Sequence, residues 1–147
     1  MCSSDLARDY VIAEATKVGC HHRVDAAGNV HIRPQTVDWS KPCWLAGSHL
    51  DSVPGGGDYD GVVGVVAALE VLRAAVQDGQ KSLPLEAVLF AEEEGTTFGL
   101  GMLGSRGWVG TLDAKALSGV RNAEGKNFWE AGKAHGADAS EIGRAHV

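Results

Sequence analysis

Two short polar segments of the sequence combine residue types that bind metal ions and move protons. The first opens with His49-Leu50-Asp51 and reaches Asp60, and the second is the run Glu92-Glu93-Glu94. Imidazole together with carboxylates favours zinc or manganese, whereas an all-oxygen set would favour magnesium or calcium. An aspartate has two oxygens and can bridge two ions a few ångströms apart. The residue types therefore indicate a site for divalent metal.

The same residues suit hydrolysis of an amide-type bond. A paired metal site polarises an amide carbonyl and lowers the pKa of a shared water. Of two adjacent glutamates, one can bind metal while the other accepts the proton of that water, because neighbouring side chains at a strand end point in different directions. Asp51, two residues after His49, can accept the other N–H of the imidazole and fix its tautomer.

The elements that must position these residues are predicted to form an α/β sheet. A short buried strand is expected over residues 43–46, an apolar helix over 62–76 and a second apolar strand over 85–91. Strand, helix and strand in that order predict a right-handed parallel crossover. Ligand sites in such sheets lie beyond the carboxyl ends of the strands, which brings the two polar segments together. The predicted fold class is α/β, with a mixed, largely parallel sheet flanked by helices.

The remaining sequence contains fewer signals. Apolar residues at helical spacing predict a helix over residues 8–19, and turn residues at 25–29 predict a hairpin between strands at 23–24 and 30–33. Residues 34–42 are interpreted as a loop bounded by prolines. The segment 112–140 is polar and mixed and predicts no element. Without a linker or an internal repeat, we expect one domain.

Each candidate residue also has an ordinary structural interpretation. Asp60 precedes a predicted helix, where an aspartate commonly caps the N-terminus, and it can do both jobs. A run of three glutamates is usually a solvated face, but here an apolar strand precedes the run and Gly95 follows it. The pair His21-His22 has no acidic or cysteine partner at a suitable spacing, so a metal site there is disfavoured. The glycine-rich loop 55–61 lacks the residues of a phosphate-binding loop or a calcium loop.

Composition excludes several function classes. The chain has 13 basic and 19 acidic residues and a formal net charge of -6, which disfavours binding to nucleic acid. No segment resembles a signal peptide or a membrane span, so no membrane partner is expected. Three cysteines form no disulfide framework, and the expected compartment is the cytoplasm.

The two ends of the chain are related through the genetic code. One choice of codons for residues 141–146 gives, on the opposite strand, Val-Cys-Ser-Ser-Asp-Leu, which matches residues 1–6 when a GTG start codon is read as Met. That DNA string also resembles a sequencing-library adapter. Our hypothesis is that residues 1–6 and 141–147 are adapter-derived and that residues 7–140 are a partial catalytic domain.

Several motifs together resemble a known enzyme family. The stretch Gly47-Ser-His-Leu-Asp-Ser-Val-Pro-Gly-Gly-Gly-Asp-Tyr-Asp-Gly61, followed by Phe90-Ala-Glu-Glu-Glu-Gly95 and Gly104-Ser-Arg106, is similar to the hydantoinase/carbamoylase-family amidases, which belong to the M20-type metallopeptidases. The turn Asp25-Ala-Ala-Gly-Asn29 also fits the family pattern. The resemblance extends over residues 8–135, and several separated motifs occur in the same order, which makes it specific.

The resemblance implies a role for each matching residue. His49 would be a ligand to one ion, Asp60 the bridging ligand, and Glu94 a ligand to the other ion. Glu93 would be the general base, and Asp51 the residue that orients His49. The implied cofactors are two divalent ions, zinc or manganese, with cobalt or nickel as alternatives. The implied parent enzyme is a homodimer formed through a domain absent here.

The implied activity is hydrolysis of a carbamoyl or related amide C–N bond, a non-peptide bond, in a small anionic substrate, foremost an N-carbamoyl-L-amino acid. The family pattern continues with a second ligand histidine in H-x-E-Q-G and a third in a G-H-D-A-like motif, and neither occurs here. Thr96-Thr97 stands where many relatives have Ser-Arg. We therefore expect the chain alone to bind metal weakly and to be inactive. The alternatives are an M20-type aminopeptidase or acylase, a non-catalytic metal-binding module, and an inert fragment.

Overall fold

The computed structural model describes residues 3–80 and 82–142. These residues divide into two units. Unit 1 contains the described residues of 3–23, 31–50 and 57–89, and unit 2 contains residues 24–30, 51–56 and 90–142. Of the terminal segments, residues 1–2 and 143–147 lie outside the described residues, so the adapter hypothesis and the domain bounds stay predictions.

The described elements follow one another as helices and strands along the chain. In order, they are α1 (Ser3–Lys17), β1 (Cys20–Val24), β2 (Val30–Pro34), β3 (Trp44–His49), α2 (Val62–Gln77), β4 (Leu85–Phe90), α3 (Leu103–Trp108), α4 (Ala114–Gly119), α5 (Phe128–Gly132) and a 3-10 helix (Lys133–His135). The four strands form one mixed sheet in the order β1-β2-β4-β3. The predicted mixed α/β fold is confirmed, and so are the first helix, the hairpin and the strand-helix-strand order.

The core of unit 1 lies between the sheet and its helices. β4 is buried along most of its length, as its apolar sequence predicted. Two glycines allow β3 to approach its neighbours closely. A Cβ on Gly47 would lie 2.0 Å from the carbonyl oxygen of Val88 in β4, and a Cβ on Gly64 in α2 would lie 2.6 Å from the Cβ of Ser48. Both contacts exclude a larger residue.

The first part of β3 differs from its prediction. Residues 43–46 were expected to form a buried strand, but Trp44 is 77% exposed and Leu45 is 38% exposed. The cause is the strand order, because β3 is at one edge of the four described strands. Only the end of β3 is buried, at His49. The prediction of burial was therefore wrong for residues 44–46.

Helix α2 has well-defined ends and one buried face. Its C-terminus forms a Schellman motif, in which the Gln80 N–H donates to the Ala75 carbonyl and the Gly79 N–H donates to the Val76 carbonyl. Gly79 has a φ of 76°, which a residue without Cβ adopts easily. The buried positions are Val65, Ala68, Leu72 and Ala75. They recur at helical spacing and pack the helix against the rest of unit 1.

Unit 2 contains a small core that the sequence pattern did not predict. Its buried residues are Phe98, Leu103, Leu112, Leu117 and Phe128. Two short helices begin with side-chain caps: Asp113 accepts from the Ala116 N–H, and Asn127 forms a capping box with Glu130. The segment 112–140, for which no element was predicted, therefore contains α4, α5 and the 3-10 helix.

Over residues 3–80 and 82–142, no helix has the length and apolar character that crossing a bilayer requires.

Candidate metal centre

In unit 1, His49 and Asp60 come together at the carboxyl end of β3. His49 is the last residue of the strand, and Asp60 lies in the loop just before α2. The His49 Nε2 atom is 3.9 Å from the Asp60 Oδ1 atom. The histidine side chain is 10% exposed, whereas the aspartate side chain is 52% exposed. The pair thus combines a fixed imidazole with an accessible carboxylate.

Gly61 makes this approach possible. It has a φ of 70°, and a Cβ on Gly61 would lie only 2.5 Å from the His49 Cε1 atom and 2.6 Å from Nδ1. The residue that precedes the helix must therefore lack a side chain. Gly61 is also the N-cap of α2, with no side-chain capping bond. The alternative interpretation, in which Asp60 caps this helix, is wrong, because Gly61 is the N-cap residue.

In unit 2, Asp51 and Glu94 are joined by a hydrogen bond. The Glu94 backbone N–H donates to the Asp51 Oδ2 atom over 2.9 Å. Asp51 therefore fixes the backbone at Glu94. The proposed acceptance of the imidazole N–H of His49 by Asp51 stays a prediction.

The backbone that presents Glu93 and Glu94 is fixed by hydrogen bonds from the start of α3. The N–H groups of residues 102, 103 and 104 donate to the carbonyls of Glu93, Glu92 and Ala91, over 2.7, 3.0 and 2.9 Å. Gly101 is required here because its Cβ would lie 2.8 Å from the Glu93 carbonyl oxygen. The turn after β4 is consequently a well-fixed support for the two carboxylates.

Asn29 is a supporting residue that the sequence interpretation had assigned only to a turn. It is fully buried, its Oδ1 accepts from the Ala91 N–H over 3.0 Å, and its Nδ2 donates to the Gly104 carbonyl over 3.0 Å. The Asp25 carboxylate holds it through a second bond of 2.7 Å from Nδ2. A Cβ on Gly104 would lie 2.2 Å from the Asn29 Oδ1 atom. The sequence shows only that Asn29 ends a turn. Its role follows from its burial in the structure, since buried amides need hydrogen-bond partners.

The predicted ligands form a candidate metal group. Among the described residues, His49 and Asp60 in unit 1 and Glu94 in unit 2 each offer one ligand atom for such a group. An imidazole nitrogen with two carboxylate oxygens is a donor set that suits zinc or manganese. The donor set therefore fits a divalent cation.

Glu92, the first residue of the acidic run, forms a hydrogen bond within its own turn. Its Oε1 atom accepts from the Thr97 hydroxyl over 2.9 Å. Burial raises the pKa of the Glu92 carboxyl more than this hydrogen bond lowers it, and the nearby Asp51 charge raises it further. Glu92 is absent from the candidate metal group.

A second cluster of ionisable residues lies in the interior of unit 1, and the sequence did not predict it. The His31 Nδ1 atom is 2.5 Å from the Glu86 Oε1 atom, and the Arg33 Nε donates to Glu86 Oε2. Burial alone would raise the pKa of Glu86, but hydrogen bonds from His31 and Arg33 hold it below its ordinary value. All three side chains are at most 5% exposed. These residues form a buried ion cluster rather than an open site.

Comparison with protein families identifies a peptidase fold. The model for peptidase family M28 matches residues 29–133. The resemblance in the sequence had named the M20-type metallopeptidases. The matched range includes His49, Asp51, Asp60, Glu93 and Glu94.

Curated proteins and solved structures give a finer comparison. The chain is 40% identical over 140 residues to an N-carbamoyl-L-amino acid amidohydrolase of Geobacillus stearothermophilus, covering 95% of this chain and 34% of that protein. It is 36% identical over 132 residues to a ureidoglycolate hydrolase of Oryza sativa subsp. japonica, covering 88% of this chain and 27% of that protein. A hydantoinase/carbamoylase family amidase from Burkholderia ambifaria superposes with a TM-score of 0.80 at 36% identity, over 91% of this chain and 34% of that chain. The chain spans about a third of the length of the relatives it matches.

Proposed function

Because the chain belongs to peptidase family M28 and is related to hydantoinase/carbamoylase-family amidases, we propose that it carries the metal-binding and general-base half of an amidohydrolase site. The reaction is hydrolysis of a carbamoyl or related amide C–N bond in a small anionic substrate, foremost an N-carbamoyl-L-amino acid. The observation that supports this proposal is the pair of His49, at the end of β3, and Asp60, just before α2, with the His49 Nε2 atom 3.9 Å from the Asp60 Oδ1 atom.

Each site residue has a chemical task in this proposal. His49, Asp60 and Glu94 would hold the cations, and Asp60 would be the shared ligand. A divalent cation bound there supplies polarisation of the carbonyl and a lower pKa for water. Glu93 accepts a proton from the attacking water as the water oxygen bonds to the carbonyl carbon. Glu93 then returns that proton to the amine as the C–N bond breaks.

The remaining assignments follow the resemblance and the composition of the sequence. We propose two ions, zinc or manganese, and a parent enzyme that is cytoplasmic and homodimeric through a domain outside these residues. Each ion would need further ligands from that enzyme, since structural and catalytic zinc sites use three or four protein ligands. The 147-residue chain is therefore expected to bind metal weakly and to show no turnover by itself.

Metal binding by the chain itself tests the ligand set. We expect Asp60→Asn to weaken zinc or manganese binding at least about tenfold in isothermal titration calorimetry, because a neutral amide is a poorer ligand for a hard cation. Asp58→Asn is the matched control, since Asp58 is an exposed acid two residues away and outside the candidate group. Equal loss in both variants would show only a general charge effect and would contradict the assignment of Asp60.

Activity requires the whole enzyme, and a chimera provides it. Residues 7–140 would replace the matching segment of the Geobacillus stearothermophilus relative, to which this chain is 40% identical. We expect the chimera to hydrolyse N-carbamoyl-L-amino acids and Glu93→Gln to abolish that activity while leaving metal content unchanged. Glu130→Gln, at an exposed helix position, is the control that keeps activity. A chimera that is folded and loaded with metal but inactive on such substrates would overturn the proposal.

A peptidase is the second candidate, and the description of the matched family favours it. The same chimera distinguishes the two functions. Faster hydrolysis of dipeptides or N-acyl amino acids than of N-carbamoyl-L-amino acids would support a peptidase or acylase. The proposed function predicts the opposite order.

A further inference from the structure

Glu92 adopts a backbone conformation that is rare for a residue with a side chain. Its φ is 52°, and it shares positive φ with Met102 alone among the non-glycine residues that the structure describes. Such a residue is strained and persists only where the surroundings fix it. The two positive-φ residues lie in segments joined by backbone hydrogen bonds, including Met102 N–H to the Glu93 carbonyl over 2.7 Å.

The side chain of Glu92 bridges the turn that carries the proposed ligand and base. Its Oε1 atom accepts from the hydroxyl of Thr97 over 2.9 Å. The bridge therefore closes a loop from residue 92 to residue 97, which contains Glu93 and Glu94. Within this loop, a Cβ on Gly95 would lie 2.7 Å from the Gly101 nitrogen, so the turn is also packed tightly.

This arrangement has two local costs. The backbone of Glu92 is strained, and its Oε2 atom is buried without a hydrogen-bond partner among the described residues. A buried polar atom without a partner destabilises the folded state. A glycine at this position would remove both costs. Local strain of this kind is commonly found where a functional geometry has to be maintained.

We propose that Glu92 is a positioning residue, which fixes the turn of Glu93 and Glu94 through its bridge to Thr97. The inference rests on the proposed function, in which Glu94 binds metal and Glu93 accepts a proton. Glu92 itself stays outside the ligand set. Its role depends on the Thr97 contact and on the positive-φ backbone. Together these determine the orientation of the Glu93 and Glu94 side chains.

Two variants and two matched controls test this role in the 147-residue chain. Glu92→Gly removes the bridge and the strain together, and Thr97→Val removes the hydroxyl that donates to Glu92 but leaves the backbone strain. Glu92→Gln keeps an oxygen that can accept from Thr97, and Thr96→Val changes the exposed neighbour of Thr97. The measurements are zinc affinity by calorimetry, the urea midpoint of unfolding, and hydrogen exchange of the metal-free protein at the amides of residues 94, 102 and 103.

A positioning role predicts opposite changes in stability and in affinity. Glu92→Gly should weaken zinc binding about tenfold, as loss of a residue that orients ligands does, while the urea midpoint stays equal or rises because the strain is gone. Thr97→Val should lose affinity in the same direction by a smaller factor, and Glu92→Gln and Thr96→Val should remain within about twofold of wild type. Exchange at the three amides should be faster in Glu92→Gly and unchanged in Thr96→Val.

Other results would overturn the inference. If affinity and midpoint fall in parallel in Glu92→Gly, the residue is merely structural. If Thr97→Val matches Thr96→Val in both affinity and exchange, the bridge does not fix the turn. If the wild-type chain binds no zinc or manganese, the proposed function fails, but hydrogen exchange still decides whether Glu92 fixes the turn.

Discussion

Unit 1 contains two clusters that pair an imidazole with a carboxylate, and their surroundings differ. His31 and Glu86 lie in the interior at 2.5 Å, and the Arg33 guanidinium also donates to that carboxylate. His49 and Asp60 lie 3.9 Å apart at the end of β3, and the Asp60 side chain is 52% exposed. The same residue types therefore form a closed ion cluster in one place and a pair accessible to solvent in the other.

The difference indicates which cluster can bind an ion. Both Glu86 oxygens accept hydrogen bonds from charged or polar groups, and no side chain of the cluster exceeds 5% exposure. A cation would have to displace these bonds and enter a dry interior, which costs far more than binding at an edge. At His49 the second partner is a half-exposed carboxylate, so a cation can reach it. Residue type alone does not separate the two clusters, whereas burial does.

Removal of Glu86 should have the largest effect on stability. Glu86→Ala leaves the buried Arg33 charge without its carboxylate, and loss of one partner of a buried pair costs about 3–5 kcal/mol. We expect a fall of that size in the free energy of unfolding, measured by urea denaturation with circular dichroism. Glu70→Gln is the control, because Glu70 pairs with Arg73 at an exposed helix position, and it should change little. A small effect of Glu86→Ala would show that the buried cluster is dispensable.

Gly61→Ala should have the second largest effect, and it changes the His49–Asp60 cluster. The new Cβ would clash with the imidazole at 2.5 Å and would occupy a positive φ. We expect a loss of about 1–3 kcal/mol in the free energy of unfolding, together with weaker zinc binding. Gly57→Ala is a matched control, because Gly57 has a φ of 88° with nothing within 4 Å of its Cβ. Equal losses in the two variants would mean that only backbone strain matters and that the imidazole contact does not.

Acid should weaken the buried cluster through Glu86. Its pKa is lower in the folded protein than the ordinary value of 4.5. As the pH falls, the unfolded state therefore takes up the proton first, so the stabilisation is complete above pH 4.5 and is lost as the pH falls through the folded pKa. The charged or titratable groups that contact Glu86 are His31, Arg33 and Cys43. We expect the free energy of unfolding, measured by urea titration from neutral to acid pH, to fall less in Glu86→Gln than in wild type. An identical fall in both proteins would assign the acid sensitivity to other carboxylates.

The contrast between the clusters also explains what could be predicted from the sequence. His49 and Glu94 could be proposed as ligands from the sequence because polar residues directly follow apolar strand patterns, which places them at a sheet edge. The exposure of Trp44 was not predictable, because it depends on the strand order β1-β2-β4-β3.

Two other features depend on contacts between residues distant in sequence. The buried cluster joins His31 to Glu86, which are 55 positions apart, and no local pattern connects them. The core of unit 2 is assembled from single apolar residues such as Leu112, Leu117 and Phe128, which are spread through a polar segment. Periodicity detects a continuous apolar face, but such isolated residues form a core only through tertiary packing.

Asp60→Asn should have the smallest effect on the metal-free protein, and it contrasts most directly with Glu86→Ala. Because the Asp60 side chain is half-exposed and lies 3.9 Å from the imidazole, its charge contributes little to folding. We expect the free energy of unfolding without metal to change by less than about 0.5 kcal/mol. Added zinc should stabilise wild type by about 2.7 kcal/mol at a hundred times its dissociation constant, and the same zinc concentration should stabilise the variant much less. A large loss of stability without metal would mean that Asp60 is a structural residue like Glu86, since a residue retained for ligand binding need not stabilise the empty fold.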